Sequence, residues 1–335
     1  MTIEEGIGAG AQGRAPRPPI EIPAAAWLAL TLVFVAVCLV VARGPVAVGQ
    51  TTLNGLIAAG YFSLGAVGLT LVFGTLRIIN FAHGDLLTLG AYLTFGLNAM
   101  GAPFWPAAAV AIALTALIAL SLDYVIWAPL RRARTSTLQA MLAAIGLAMV
   151  IRFTVQFFAG SQVRGVGQDV LSSINIGPLH LGSLQALVLV VGVVASTLVG
   201  LGLAFTRLGK QIRALSDNMA LAEVAGIDTA RAIRVVWIVA GGLAALAGIL
   251  FAAAVGSVNP NFGFFTLLSL FTAAVLGGIG NAYGALVGGL VIGLAQEWST
   301  LFVNPRWKPV VGFAILIVVL LVLPRGIFGG SRERS

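Results

Sequence analysis

The densest run of polar side chains in an otherwise apolar stretch is Arg77-Ile78-Ile79-Asn80-Phe81-Ala82-His83-Gly84-Asp85. An imidazole and a carboxylate two residues apart, His83 and Asp85, can pass a proton between them. No second ionisable pair lies at a similar depth elsewhere in the chain, so the relay has no onward partner. Two other readings of the segment stand side by side. In one it is a short turn at the membrane surface, with Asp85 capping a helix or pairing with Arg77. In the other it is an irregular stretch inside the membrane whose backbone and side chains line a pathway.

Other chemistry is thin. The two histidines, His83 and His180, cannot supply a zinc triad between them, and the lone Cys38 can form neither an intrachain disulfide nor a cysteine cluster. The phosphate-binding pattern Gly-x-x-x-x-Gly-Lys-Ser/Thr is not met: Gly209-Lys210 is followed by Gln211, and Ala204 stands where the first glycine belongs. No metal site and no cofactor follow from these residues.

Three further charged residues need an account, because charge inside a bilayer is costly. Arg152 sits well inside an apolar run, whereas Asp123 lies about one helical turn from the surface. At 1.5 Å per residue the two differ in depth by roughly 15 Å. Arg152 is therefore expected to snorkel outward beside Gln156, with Asp123 and Glu297 as anchors near the interfaces.

One long polar segment is organised like a docking element. In Thr206–Arg231 the residues Ile212, Leu215, Met219 and Val224 mark an apolar side at near-helical spacing, and Arg213 and Asp217 can pair at i, i+4. Gly226 reads as a helix stop and Asp228 as the N-cap of the next helix. A short amphipathic helix, a tight turn and a second helix are more than a connector requires. An exposed apolar stripe of this kind seeks the bilayer interface or a groove on another protein.

These residues must be held by elements that live in lipid. Of 335 residues 59% are hydrophobic and 9% charged, with a mean hydropathy of +1.04, against about 45–50% and 25% in soluble domains. That excludes a water-soluble enzyme, and the long unbroken apolar runs exclude an alternating β-barrel. A spanning helix needs about 20 apolar residues. The expected spans are 24–42, 53–74, 81–100, 104–127, 138–159, 184–205, 233–255, 264–280, 285–302 and 310–323. The chain is thus an all-α polytopic membrane protein with about ten membrane helices. Eight or nine full spans result if the second and third, or the eighth and ninth, include a broken or re-entrant segment.

The net charge of +8 is explained by topology. With ten spans and the N-terminus inside, 14 of the 19 Lys and Arg residues fall in inside segments and 4 outside, with Arg152 within a span. The positive-inside rule then places both termini and the 206–232 loop in the cytoplasm, and no nucleic-acid partner is needed. Residues 1–23 are Gly/Pro-rich and polar and read as a disordered cytoplasmic tail. Residues 24–324 form the membrane domain, and 325–335 a second cytoplasmic tail. Glycine is abundant, 42 residues. Gly280, Gly284 and Gly288, and likewise Gly289 and Gly293, recur four apart, which on a helix makes a flat stripe for close packing, a flexible joint or a subunit contact.

An ordered set of motifs runs from about residue 50 to 330. It comprises Asn54-Gly55, Gly60, Gly65, Gly68-Leu-Thr-Leu-Val-Phe-Gly74, Ile79-Asn80-Phe81-Ala82-His83-Gly84-Asp85 and Gly90-Ala91-Tyr92. It continues through Gly209, Arg213-Ala214, Asp217, Ala225-Gly226-Ile227-Asp228, Ala273-Ala274-Val275-Leu276-Gly277-Gly278-Ile279-Gly280-Asn281, Gly284-Ala285 and Leu323-Pro324-Arg325-Gly326-Ile327-Phe328-Gly329. This set resembles the branched-chain amino acid ABC-transporter permeases of the LivH type. The resemblance implies an inner-membrane importer subunit without its own ATP site. It would work with two ATPase subunits, a second similar permease and a periplasmic solute-binding protein, surrounded by membrane lipid. Gly209, Arg213, Asp217, Glu223, Ala225, Gly226, Ile227 and Asp228 would couple to the ATPase. The segment lacks the fuller Glu-Ala-Ala…Gly…Ile-x-Leu-Pro form of other importers.

The same family shape serves urea and short amides. No charged pocket for an amino acid's ammonium and carboxylate is visible in the sequence. Asn54, Asn80, His83, Asp85 and Thr272 are the candidates for a weakly polar path of transient passage. An ion-coupled secondary transporter using His83 and Asp85 is the alternative of a different class, and a non-transporting membrane scaffold is a third.

Overall fold

The computed structural model describes residues 24–165 and 173–328. The tail expected at 1–23, and most of that expected at 325–335, lie outside the described residues. Thirteen α-helices follow in order. They are α1 (Ala24–Arg43), α2 (Pro45–Leu76), α3 (His83–Ala99), α4 (Phe104–Leu122), α5 (Ala128–Arg132), α6 (Thr137–Ala159), α7 (Ser183–Phe205), α8 (Arg207–Asp217), α9 (Met219–Val224), α10 (Thr229–Val255), α11 (Phe262–Gly277), α12 (Ala282–Ser299) and α13 (Lys308–Val322). Four short strands complete the described residues: β1 (Arg164–Gly165) pairs with β4 (Ser257–Val258), and β2 (Ser173–Ile176) with β3 (Leu179–Gly182), all antiparallel.

This is an all-α polytopic membrane protein. Among the described residues seven helical stretches are long and apolar enough to cross a bilayer. The helices α3 and α11, at 17 and 16 residues, reach only about 25 Å at 1.5 Å per residue, short of a hydrocarbon core of about 30 Å. The expected boundaries of the fifth and sixth spans agree with α6 and α7 to within one residue. Pro45 in the first turn lets α2 start earlier than the apolar run suggests, since a proline there gives up no hydrogen bond. The helix then runs 32 residues, about 48 Å.

The bundle is arranged around α2. The apolar window of α2 is 89% buried and that of α10 61%, while α1 buries none. Lipid is as apolar as leucine, so association of these helices draws on close packing rather than on removal from water. Small residues supply it. A Cβ on Gly293 would overlap the backbone of Ala59 and Gly55 on α2, and one on Gly289 the backbone of Ser63. On the other side of α12, Gly284 meets the carbonyl of Gly277 and Gly288 that of Ala273 on α11. The glycine rows are thus intramolecular seams that hold α12 between α2 and α11. Gly280 does not belong to the row: it has φ +93° in the turn before α12.

Helix α4 does not end at Leu122 but runs through a π-helical turn, Asp123–Trp127, into α5. Asp123 begins this turn. It is buried in this turn and takes a two-pronged hydrogen bond from Arg131, at 2.6 and 3.2 Å. The wider turn also stacks Trp127 on Trp237 of α10 at 5.9 Å between ring centres.

Candidate functional site

Three constellations bring the polar residues together. The first is the break between α2 and α3. Helix α2 ends at Arg77 in the left-handed conformation, φ +55°, and residues 77–82 are not helical. The side-chain Oδ1 of Asn80 accepts from the backbone N–H of Ala82 at 3.1 Å, and the Asn80 carbonyl from that of His83 at 3.2 Å. Asn80, Ala82, His83 and Asp85 are all buried, so this irregular backbone is shielded by protein, the condition on which a membrane tolerates it. His83 Nε2 lies 3.0 Å from the carbonyl of Gly65. Gly65 is eleven residues back from the end of α2, so α3 begins about 16 Å inside the bundle.

That depth explains the partner of Asp85, which is Arg152 and not Arg77. Arg152 Nε and Nη2 donate to the two carboxylate oxygens at 2.9 and 3.1 Å, and its guanidinium lies 4.4 Å from the ring centre of Phe264. Arg152 therefore does not snorkel; the side chain is drawn inward by a fully buried carboxylate. Gln156 turns instead to Asn261, at 3.5 Å. The pair ties α3, α6 and α11 together.

The second constellation is the 206–232 segment. Thr206 caps α8 through Oγ1, which accepts from Gly209 N at 3.0 Å. Gly209 has no room for a Cβ against Gly202 and Leu203, so α8 folds back closely on the end of α7. Asn218 breaks the expected single helix in two, because its side chain caps α9 at Leu221 N, 3.0 Å. The apolar stripe splits with it. Ile212 and Leu215 are buried against the bundle, while Met219 and Val224 are exposed, with Leu221 exposed beside them. At the end of α9, Gly226 has φ +83°, with Gly226 N donating to Glu223 O and Ile227 N to Ala222 O, both at 3.0 Å. That pair of bonds is a Schellman stop. Asp228 then caps α10 through Arg231 N at 2.9 Å. Glu223, Ala225 and Gly226 are exposed, Ile227 half-buried.

This segment is bolted to the bundle. Arg77 Nη2 donates to the carbonyl of Ser216 at 3.0 Å, and Ser216 Oγ to that of Gly280 at 3.1 Å. Arg213 donates to the carbonyl of Ala204 at 3.4 Å. A cavity of about 670 Å³ opens here, lined among others by Arg77, Arg213, Ser216, Asp217, Asn281 and Arg325.

The third constellation lies at the opposite end, toward the start of α2. A cavity of about 730 Å³ opens between α2, α10, α11, α12 and α13. Asn54 lines it, as do Ser269, Gln296, Glu297, Arg306 and Lys308. Glu297 is more than an interfacial anchor: Lys308 Nζ donates to its carboxylate at 2.5 Å. Charged side chains of two helices thus line a cavity, a juxtaposition not visible in the sequence. The two residues are eleven apart on successive helices, and the turn between α12 and α13 brings them face to face. Of the remaining pathway candidates, Thr272 is fully buried, and its one hydroxyl proton faces the carbonyls of Leu268 at 2.9 Å and Gly312 at 3.2 Å, which brings α11 against α13. Asn80, His83 and Asp85 line neither cavity.

Comparison with known proteins covers most of the chain. Residues 51–320 match the family model described as "Branched-chain amino acid transport system / permease component". Over 294 residues the chain is 33% identical to the high-affinity branched-chain amino acid transport system permease protein LivH of Escherichia coli (strain K12), covering 84% of this chain and 95% of that protein. The corresponding BraD protein of Pseudomonas aeruginosa is 31% identical over the same length and shares. The ribose import permease protein RbsC of Escherichia coli (strain K12) is 29% identical over 284 residues, 82% of this chain and 83% of that one.

Proposed function

The chain belongs to the branched-chain amino acid transport system permease family, and from that membership we propose that it is the membrane-spanning subunit of an ATP-driven importer for branched-chain or related neutral amino acids. Two ATPase subunits dock on it from the cytoplasm, a second permease of the same kind completes the channel, and a solute-binding protein delivers substrate from outside. Residues 24–324 are the permease domain, in the inner membrane with both termini cytoplasmic. The transport systems of the LivH and BraD relatives support the substrate class.

One observation carries the coupling. Helix α9 presents Leu221 and Val224 to solvent, while Ser216 of α8 accepts from Arg77, just past the end of α2, and donates to Gly280 in the α11–α12 turn. A partner gripping this surface pulls on the ends of three helices at once. The coupling residues are Gly209, Arg213, Asp217, Glu223, Ala225, Gly226, Ile227 and Asp228. Gly209 and Arg213 set the seat of α8, Asp217 ends that helix, and the other five form the corner.

In vesicles containing the assembled complex, leucine uptake is expected to require trapped ATP and to be absent with a proton gradient alone. Uptake on the gradient alone would overturn the reading in favour of a secondary transporter. The sidedness has its own check. With Cys38 replaced by Ala and the permease made without its ATPase, a cysteine at the exposed Val224 is expected to resist an impermeant thiol reagent in sealed cells and to react in inverted vesicles. Reaction in sealed cells would reverse the topology.

A further inference from the structure

We propose that the cavity holding Glu297 and Lys308 is a resting site for a zwitterionic substrate, which enters by exchanging one ion pair for two. The substrate ammonium goes to the Glu297 carboxylate and its carboxylate to the Lys308 ammonium, with Arg306 adding positive charge at the rim. The aliphatic side chain lies on the aromatic wall of Tyr61, Phe251 and Phe262. The assignment rests on the amino-acid importer reading above but goes beyond it by naming a site and the charge rule that selects for it.

The cavity has the size and the mixed lining of a small-molecule site. Its volume of about 730 Å³ falls within the usual range of about 300–1,000 Å³. On the apolar side Tyr61 meets Phe251 edge-on with ring centres 5.2 Å apart, and Phe251 stacks on Phe262 at 5.0 Å. The charged side is half-dry: the side chains of Lys308 and Glu297 are 30% and 11% exposed. Splitting the pair strands the Glu297 carboxylate in a poorly solvated place, so the pair stays closed to solutes that bring no cation. A carboxylate alone, or an amine alone, satisfies one member and strands the other. Urea and sugars carry no charge to offer either. A zwitterion supplies both counter-charges together, so each residue trades one partner for another with no net unpaired charge. The pair thus acts as a filter for molecules carrying both groups, while the aromatic wall favours those with an apolar side chain.

The test uses the assembled complex. Glu297→Gln and Lys308→Gln are each expected to lower ATP-driven leucine uptake by tenfold or more with the complex still assembled. In the charge-swapped double variant Glu297→Lys, Lys308→Glu, a merely structural bridge between α12 and α13 is restored. A substrate site is reversed and remains defective. Uptake restored by the swap to within twofold of the unaltered complex, or kept by the single variants, would overturn the proposal. A second measurement needs neither charge altered. With Ser269→Cys in a Cys38→Ala background, leucine is expected to slow labelling by a permeant thiol reagent several-fold, whereas leucinamide and 4-methylpentanoate, each lacking one charge, do not. Equal protection by all three, or none by leucine, would also overturn it. If the unaltered complex shows no ATP-driven leucine uptake, the importer reading itself fails, which is a different result from normal uptake in the variants.

Discussion

Asp85→Ala is expected to cost about 3–5 kcal/mol of stability, the usual penalty for removing one partner of a buried ion pair. The side chain of Arg152 is only 14% exposed and faces Asp85 through two hydrogen bonds and Phe264 through its ring face. Without the carboxylate the guanidinium is left in a low-dielectric pocket with the ring as its remaining partner, worth about 2 kcal/mol. The same substitution leaves α6 held to α3 by packing alone. Thermal unfolding of the purified protein, or its yield in membranes, reads the loss. Arg152→Met added to Asp85→Ala should recover most of it, because replacing both charges of a buried pair by apolar groups is often neutral. The double variant also separates two roles. Asp85 is fully buried and lines neither cavity, so the double variant is expected to transport. A stable double variant that does not transport would put Asp85 back in the pathway.

The break at Arg77–Ala82 shows where sequence reasoning reached its limit. Its polar residues announced an irregular segment, but hydropathy carries no record of how deep the next helix starts. The depth of Asp123 can be counted along its helix and sets it apart from Arg152, but that of Asp85 cannot, so the arginine has no partner in the sequence alone. With α3 starting beside Gly65, Asp85 and Arg152 meet. Local signals fared better. Gly226 and Asp228 stand in the stop and cap positions because the chemistry of a helix end is written in adjacent residues. The same chemistry in Asn218 passed unread, and with it the break between α8 and α9. That break sends Ile212 and Leu215 inward and Val224 outward, where spacing alone put them on one stripe. The charged cavity was invisible for another reason. Glu297 and Lys308 belong to different spans, and only the turn between α12 and α13 reveals that they face each other.

Gly226→Val should separate the permease from its ATPase while leaving the membrane bundle intact. The residue sits at φ +83°, where a side chain costs roughly 1–2 kcal/mol, and a β-branched one is the least tolerant. No atom lies within 4 Å of a Cβ built there, so the penalty is backbone strain and not a clash. The turn can escape the strain only by giving up the bonds from Gly226 N to Glu223 and from Ile227 N to Ala222. Those bonds fix the direction in which the six residues of α9 present Leu221 and Val224. Burying an apolar side chain of this kind yields about 1.5–3 kcal/mol, whereas association itself costs at least about 4 kcal/mol. A dock built on so few contacts fails when they no longer point together. The variant is expected to insert normally, since no span is touched, and to lose co-purifying ATPase and ATP-driven uptake by at least about tenfold, the equivalent of about 1.4 kcal/mol. Gly226→Asn should do far less harm, because asparagine tolerates the left-handed conformation. Glu223→Ala should weaken docking only slightly, as an exposed charge at a rim contributes little. Equal damage from Asn and Val would point to bulk rather than φ, and normal transport in a Gly226→Val, Glu223→Arg double variant would reduce the whole corner to a connector.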